Sequence, residues 1–122
     1  MKIAIPSSGK TLDSIVADRF ARAEYFIIYD DVKNDYTVVP NSEVGAHGMG
    51  PKVVQMLARE GADVLIIPGM GRNAFDATVA AGIKPYMAKP GTVGQNIEWF
   101  KQGILEELMS PRKACEKESD LS

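Results

Sequence analysis

The run Ala62-Asp63-Val64-Leu65-Ile66-Ile67, closed at once by Pro68-Gly69-Met70-Gly71, constrains this chain more than any other stretch. A strand with one wet face alternates apolar and polar residues, whereas an unbroken apolar run is the habit of a strand buried on both faces of a parallel sheet. Parallel neighbours need crossover connections, and helix-like segments stand on both sides of this run. Upstream, Pro51 suits a first helical turn. Val53, Val54, Leu57 and Ala58 then fall on one face, Lys52, Gln55, Arg59 and Glu60 on the other, and Gly61 fits the stop. Downstream, the spacing predicts a second helix over about Arg72 to Ala81 that buries Ala74, Phe75, Thr78 and Val79, with Gly82 closing it.

The remaining elements follow from local chemistry. Lys2 to Ile5 is a short apolar strand that leaves into Pro6-Ser7-Ser8-Gly9. Ser7 to Glu24 reads as a long connection with a short helical turn near Ile15 to Phe20. Tyr25 to Tyr29 and Tyr36 to Val39 are rich in β-formers around a turn-like Asp30 to Asp35, so they form an antiparallel hairpin that Pro40 ends. Lys84 to Ala88 is a strand placed at an edge, because Pro85 lacks a ladder donor. A last helix opens at Thr92, which makes a capping-box pattern with Gln95. Val93, Ile97, Phe100 and Ile104 are its expected buried stripe, and Trp99 lies off it.

The expectation is therefore an α/β chain with a mixed five-stranded sheet, an antiparallel hairpin and helices packed on the sheet. Residues 1–110 form a single domain, and the charged segment 111–122 a disordered tail.

At 122 residues there is enough apolar material for one core. Fourteen Lys and Arg against sixteen Asp and Glu leave no basic excess, which argues against nucleic acid as a partner. No stretch approaches the roughly 20 apolar residues of a membrane span, and no signal-peptide pattern opens the chain, so a cytoplasmic monomer is expected. A single cysteine, Cys115, excludes an internal disulfide, and one His with one Cys cannot furnish a zinc site.

Candidate chemistry concentrates in two loops. Asn41 to Pro51 holds the only histidine, His47, followed by Gly48, Met49 and Gly50, so a ligand is expected near the imidazole and this backbone. Gly69-Met70-Gly71-Arg72-Asn73-Ala74 matches G-x-G-x-x-A between a strand and a helix. There, backbone N–H groups and a helix N-terminus can receive an anion, although the same spacing also serves a plain tight turn. A dinucleotide site wants an acid near the end of the next strand, and Ala88 to Thr92 has none. Arg19, Arg22 and Arg72 are donors able to hold an anionic ligand or simply to face water. Asp13, Asp18, Asp30 and Asp31 raise a metal-dependent phosphoryl-transfer or nuclease alternative, although all four suit polar turns. Met49, Met70 and Met87 sit near loop or strand ends, where filling the core is the commoner use of a thioether. A metal-free regulatory or interaction domain, with Trp99 on a partner surface, is a third reading.

LDSIVADRFARAEYFIIYD, then GAHGMGPKVVQMLAREGADVLIIPGMGRNAFDATVAAGIKPY, then a last helix opened by GTV, resemble the dinitrogenase iron-molybdenum cofactor-binding family over residues 1 to 108. This is the NifX and NifY type of small domain, also found at the C-terminus of NifB proteins. The resemblance implies a ribonuclease-H-like motif and a non-catalytic role in binding or carrying an iron-sulfur cluster, a precursor or the iron-molybdenum cofactor itself, beside cofactor-assembly proteins. Such a cluster brings its own sulfides, so the protein need add only one or two ligands with cationic and N–H donors. On that reading His47 is a metal ligand or orienting group. Gly48, Met49, Gly50, Gly69 and Gly71 give close approach, and Arg19 and Arg72 complement charge. Family members commonly carry His-Phe-Gly ahead of Arg-Ala-x-Tyr-Phe, and Arg19-Phe20-Ala21 stands there instead.

Overall fold

Ile3, Ala4 and Ile5 are wholly buried, and their strand has a hydrogen-bonded neighbour on either side. The computed structural model describes residues 1–18, 23–41 and 49–109, with only the backbone of 49–51. Its elements are β1 (Lys2–Ser7), β2 (Tyr25–Asp30), β3 (Asp35–Pro40), α1 (Met49–Arg59), β4 (Val64–Ile67), α2 (Arg72–Ala80), β5 (Lys84–Met87) and α3 (Val93–Lys101). They build a mixed five-stranded sheet in the order β3-β2-β1-β4-β5. The expected hairpin pairs Tyr25 with Pro40 at one end and Asp30 with Asp35 at the other, while β1, β4 and β5 run parallel.

Alternate side chains of the sheet enter two cores. On one face Ala4, Phe26, Ile28, Leu65 and Ile67 pack with Val53, Val54 and Leu57 of α1 and Ala74 of α2. On the other, Ile3, Ile5, Ile27, Val64 and Ile66 pack with Val93 and Ile97 of α3. At about 1.5–3 kcal/mol for each fully buried large aliphatic side chain, these two layers supply the main drive to fold. That β4 feeds both layers explains why its sequence has no polar position.

Several expected burials are corrected. Ala58 is exposed, and half-buried Met56 takes its place beside Val53 and Leu57. In α2 only Ala74 and Thr78 are fully buried. Val79 points outward at 56% exposure because this nine-residue helix turns one narrow stripe to the sheet and packs its flank on α1. The stripe of α3 stops early as well. Gly103 adopts φ 75° and ends the helix, so Ile104 is exposed and Leu105 is buried instead. Trp99 is half-buried against the α3-side core rather than freely displayed. Ile15 and Val16 form bridges with Thr92 and Ser7, so extended chain stands where a helical turn was expected to begin.

The two sheet edges are treated differently. Beyond α3 the chain returns along β5: Met87 N–H donates to Glu106 O at 2.8 Å, and Leu108 N–H to Pro85 O at 2.8 Å. Leu105 enters the α3-side core and Leu108 the opposite one, which wraps the edge. Pro85 turns its nitrogen to this outer side, where no ladder donor is lost. At the other edge, Asn41 N–H bonds Glu24 O, so strict alternation turns the backbone groups of Tyr36, Val38 and Pro40 away from β2. The Asp35 carboxylate accepts the Tyr36 N–H at 2.7 Å and Pro40 has none, leaving Val38 as the one outward donor of β3 unpaired among the described residues.

The hairpin turn is fixed by short-range bonds. Asp30 Oδ1 accepts from Val32 N–H at 3.0 Å and Lys33 N–H at 3.3 Å, and Asn34 sits in the left-handed region at φ 57°. The Tyr29 hydroxyl donates to Asn34 Oδ1 and accepts from Lys101 Nζ at 3.1 Å, which ties α3 to the turn.

Desolvation opposes the Asp30 charge, but the Lys33 and Val32 amides and nearby positive charge outweigh it and hold the pKa below 3.8. A depressed carboxylate stabilises the fold above its unfolded pKa and loses that contribution as pH falls through the folded value. Asp30→Asn is therefore expected to flatten the loss of stability below pH 3.8, read from urea midpoints across pH. Leu65→Ala, at a side chain with no exposure, is expected to cost about 2–5 kcal/mol in the same assay.

Candidate functional site

The parallel strands place the connections that follow β1, β4 and β5 at one end of the sheet. Ser7, Ile67 and Met87 end β1, β4 and β5 there, and Pro40 joins them through its pairing with Tyr25 and the pairing of Tyr25 with Ser7. Lys2 Nζ reaches Glu60 O at 3.4 Å and Asp63 N–H donates to Lys2 O, so α1 finishes at the opposite pole. The N-terminus of α1 accordingly lies at the pole of the strand ends. The N-terminus of α2, which directly follows the β4 loop, lies there too.

The helix N-termini differ in what they offer. At α3 the donors are spent internally: Gln95 N–H bonds Thr92 Oγ1 at 3.1 Å, Thr92 N–H bonds Gln95 Oε1 at 2.9 Å, and Val93 and Gly94 N–H donate to Ser14 O and Leu12 O. The expected capping box is present, and α3 has no free N–H to turn toward a ligand. Gly71 caps α2 without a side-chain bond, and the Arg72, Asn73 and Ala74 N–H groups take no partner among the described residues. A Cβ on Gly71 would meet nothing within 4 Å among the described residues. Donors of this kind, with the positive end of the helix dipole, suit an anion.

Of the expected site residues, Gly69, Gly71 and Arg72 come together at this turn. Gly69 is buried, and the Arg72 side chain is 81% exposed with only a 3.9 Å contact to Asp76. Met49 and Gly50 open α1 at the same pole. His47, Gly48 and Arg19 lie outside the described residues, as do Arg22 and Cys115. Met70 is buried in the core and lies 3.7 Å from the Thr78 hydroxyl, so its thioether fills space under the loop. Asp30 and Asp31 sit at the far pole in the hairpin turn, away from Asp13 and Asp18. Among the described residues no group of three or more His, Cys, Asp or Glu converges, which removes the geometric basis of the nuclease alternative there.

Two buried asparagines that sequence reasoning did not single out organise this pole. Asn41 Nδ2 donates to Ala23 O at 2.9 Å, and its N–H to Glu24 O. Ala23 follows residues 19–22 and Asn41 precedes residues 42–48, so the anchored ends of the segments bearing Arg19 and His47 are pinned together. Asn96, with no exposure, bonds the loop after β5. The only signal in the sequence was a polar residue on the buried stripe of α3, between Val93 and Ile97.

Fold and pole together define a small α/β domain with its candidate site at the strand ends. The chain belongs to the dinitrogenase iron-molybdenum cofactor family, whose sequence model matches residues 1–103. A Thermotoga protein provisionally designated NifB is 52% identical, with a TM-score of 0.82 over 92% of this chain and 97% of that one. The orange protein of Desulfovibrio gigas, solved in its apo form, is 36% identical with a TM-score of 0.87, covering 92% of this chain and 96% of its own. An uncharacterized protein of Methanocaldococcus jannaschii is 28% identical over 112 residues, 88% of this chain and 92% of that one.

Thr92→Ala removes the side-chain half of the α3 capping box and is expected to cost about 1 kcal/mol, measured by urea denaturation.

Proposed function

We propose that this chain is a non-catalytic binding or carrier domain for an anionic iron-sulfur-type cluster, an iron-molybdenum cofactor precursor or the finished cofactor, handled as cargo at the strand-end pole. The observation that carries the reading is the family match over residues 1–103. The uncapped N-terminus of α2 supports it, since its first amides take no partner among the described residues and Arg72 is exposed at the pole where ligands of open α/β sheets bind. The 36% identical orange protein, solved as an apo form, is in keeping with a fold that takes a bound group.

His47 acts in this reading as a ligand or orienting group. Gly48, Met49, Gly50, Gly69 and Gly71 allow close backbone approach, and Arg19 and Arg72 offset the charge of the cluster. A cluster carries its own sulfides, so a protein with one histidine and one cysteine is a sufficient host for cargo although it is a poor host for a bare metal ion. The working state is a monomer in the cytoplasm that exchanges its load with cofactor-assembly proteins and binds no nucleic acid. No helix among the described residues is long and apolar enough to cross a membrane.

Anaerobic reconstitution with iron and sulfide, with or without molybdate, tests the reading. The expected result is a visible absorption band that co-elutes with the protein and is lost in His47→Ala; no uptake by the intact chain overturns it. Gly71→Ala gives a finer check, because the space there accepts a methyl group and φ is −74°. Its stability is expected to change by less than about 1 kcal/mol. Its cluster uptake should nevertheless weaken if the cargo approaches that backbone.

A further inference from the structure

We propose that Asn96 is the positioning residue of the strand-end pole, a side chain that sets the conformation of the loops after β1 and β5 at once. Part of this inference, the effect on cargo, rests on the proposed function.

Asn96 comes from inside α3 and has no exposure. Its amide grips Lys89 as a neighbouring strand would, with Lys89 N–H donating to Oδ1 at 2.8 Å and Nδ2 donating to Lys89 O at 3.0 Å. Nδ2 also donates to Thr92 O at 3.0 Å, so one side chain fixes both ends of the four-residue loop Lys89-Pro90-Gly91-Thr92. An aliphatic residue would bury as well but could not match a donor and two acceptors. Aspartate would set a carboxylate against two carbonyl oxygens. These bonds are partly shielded from water, and losing the amide leaves the Lys89 N–H and carbonyl without their partner, while Thr92 O keeps the Asn96 N–H at 3.1 Å.

The loop so held is itself the template for another. Val16 N–H donates to Gly91 O at 3.2 Å, Ile15 bridges Thr92, and Val93 and Gly94 N–H reach back to Ser14 O and Leu12 O at 2.9 and 2.8 Å. That second loop closes on β1 through Ser8 N–H to Ile15 O and Ala17 N–H to Pro6 O, both at 3.0 Å. Gly94 marks how close the two loops lie, since a Cβ there would come within 3.2 Å of Leu12 O. The strand-end loops of β1 and β5 therefore form one unit with Asn96 as its keystone. The β1 loop runs on through Asp18 directly to Arg19, the cation assigned above to the cargo.

The test compares the intact chain with Asn96→Leu and Asn96→Asp, using Ile97→Val as a control on the same helix. Ile97 packs in the core and is absent from the bonds to the loops. Amide hydrogen exchange is read at Val16, Val93 and Gly94 against Leu65 in the core. In Asn96→Leu the three loop amides should exchange about tenfold or more faster relative to Leu65, as expected when a buried hydrogen-bond set is removed. The control should slow or quicken all four together. Asn96→Asp keeps volume and the acceptor for Lys89 N–H but loses both donors, so it should show the same local effect and serves if the leucine variant does not fold. Unchanged ratios in both variants overturn the proposal.

Uptake of iron and sulfide forms the second arm. A drop in affinity of about tenfold beyond that of Ile97→Val is expected, and normal uptake with loosened loops would refute the link to the site. Should the intact chain take up no cluster, the cargo reading falls, while the exchange arm still decides whether Asn96 positions the loops.

Discussion

Everything in this molecule hangs on β1, a strand paired antiparallel to β2 on one side and parallel to β4 on the other, with both faces covered. On its antiparallel side β2 continues into the tight β2–β3 hairpin, which costs few residues. Its parallel side demands crossovers, and these deliver the N-termini of helices and the strand-end loops to one pole. The division of labour between the poles is thus a consequence of strand direction. Asp30, Asn34, Tyr29 and Lys101 stabilise one end, and the glycine loops occupy the other.

The layout was legible where burial leaves a one-dimensional trace. Val64 to Ile67 revealed a strand buried on both faces, the two tyrosine-flanked runs revealed the hairpin, and Thr92 with Gln95 revealed the start of α3. What escaped was set by tertiary neighbours. Val79 keeps helical spacing yet faces outward, because the flank of α2 is given to α1, and Ile104 continues a period that Gly103 has already broken. The extended bridges of Ile15 and Val16 depend on partners in β1 and beside α3, which no local pattern announces. For the site, the glycine turn that leads into Arg72 was readable as a motif. The asparagines that shape the surrounding loops were not, since a buried amide looks like any surface amide until its partners are known.

Those asparagines illustrate how a small domain can hold irregular backbone without a large core beneath it. Asn41 bonds the carbonyl of Ala23 across the hairpin, Asn96 bonds those of Lys89 and Thr92 in the loop that leads into its own helix, and no buried side-chain nitrogen or oxygen among the described residues lacks a partner. Loops anchored in this way keep their amides in place before a ligand arrives, which lowers the ordering cost of binding. The N-terminus of α2 contrasts with that of α3, whose first amides are all bonded within the chain.

The treatment of the sheet margins has a consequence for traffic. With β5 overlaid by the chain's own return and β3 guarded by Asp35 and Pro40, a second polypeptide finds little purchase for adding a strand. What stays uncovered is the end of the sheet, where the strand-end loops and the uncapped N-terminus of α2 lie.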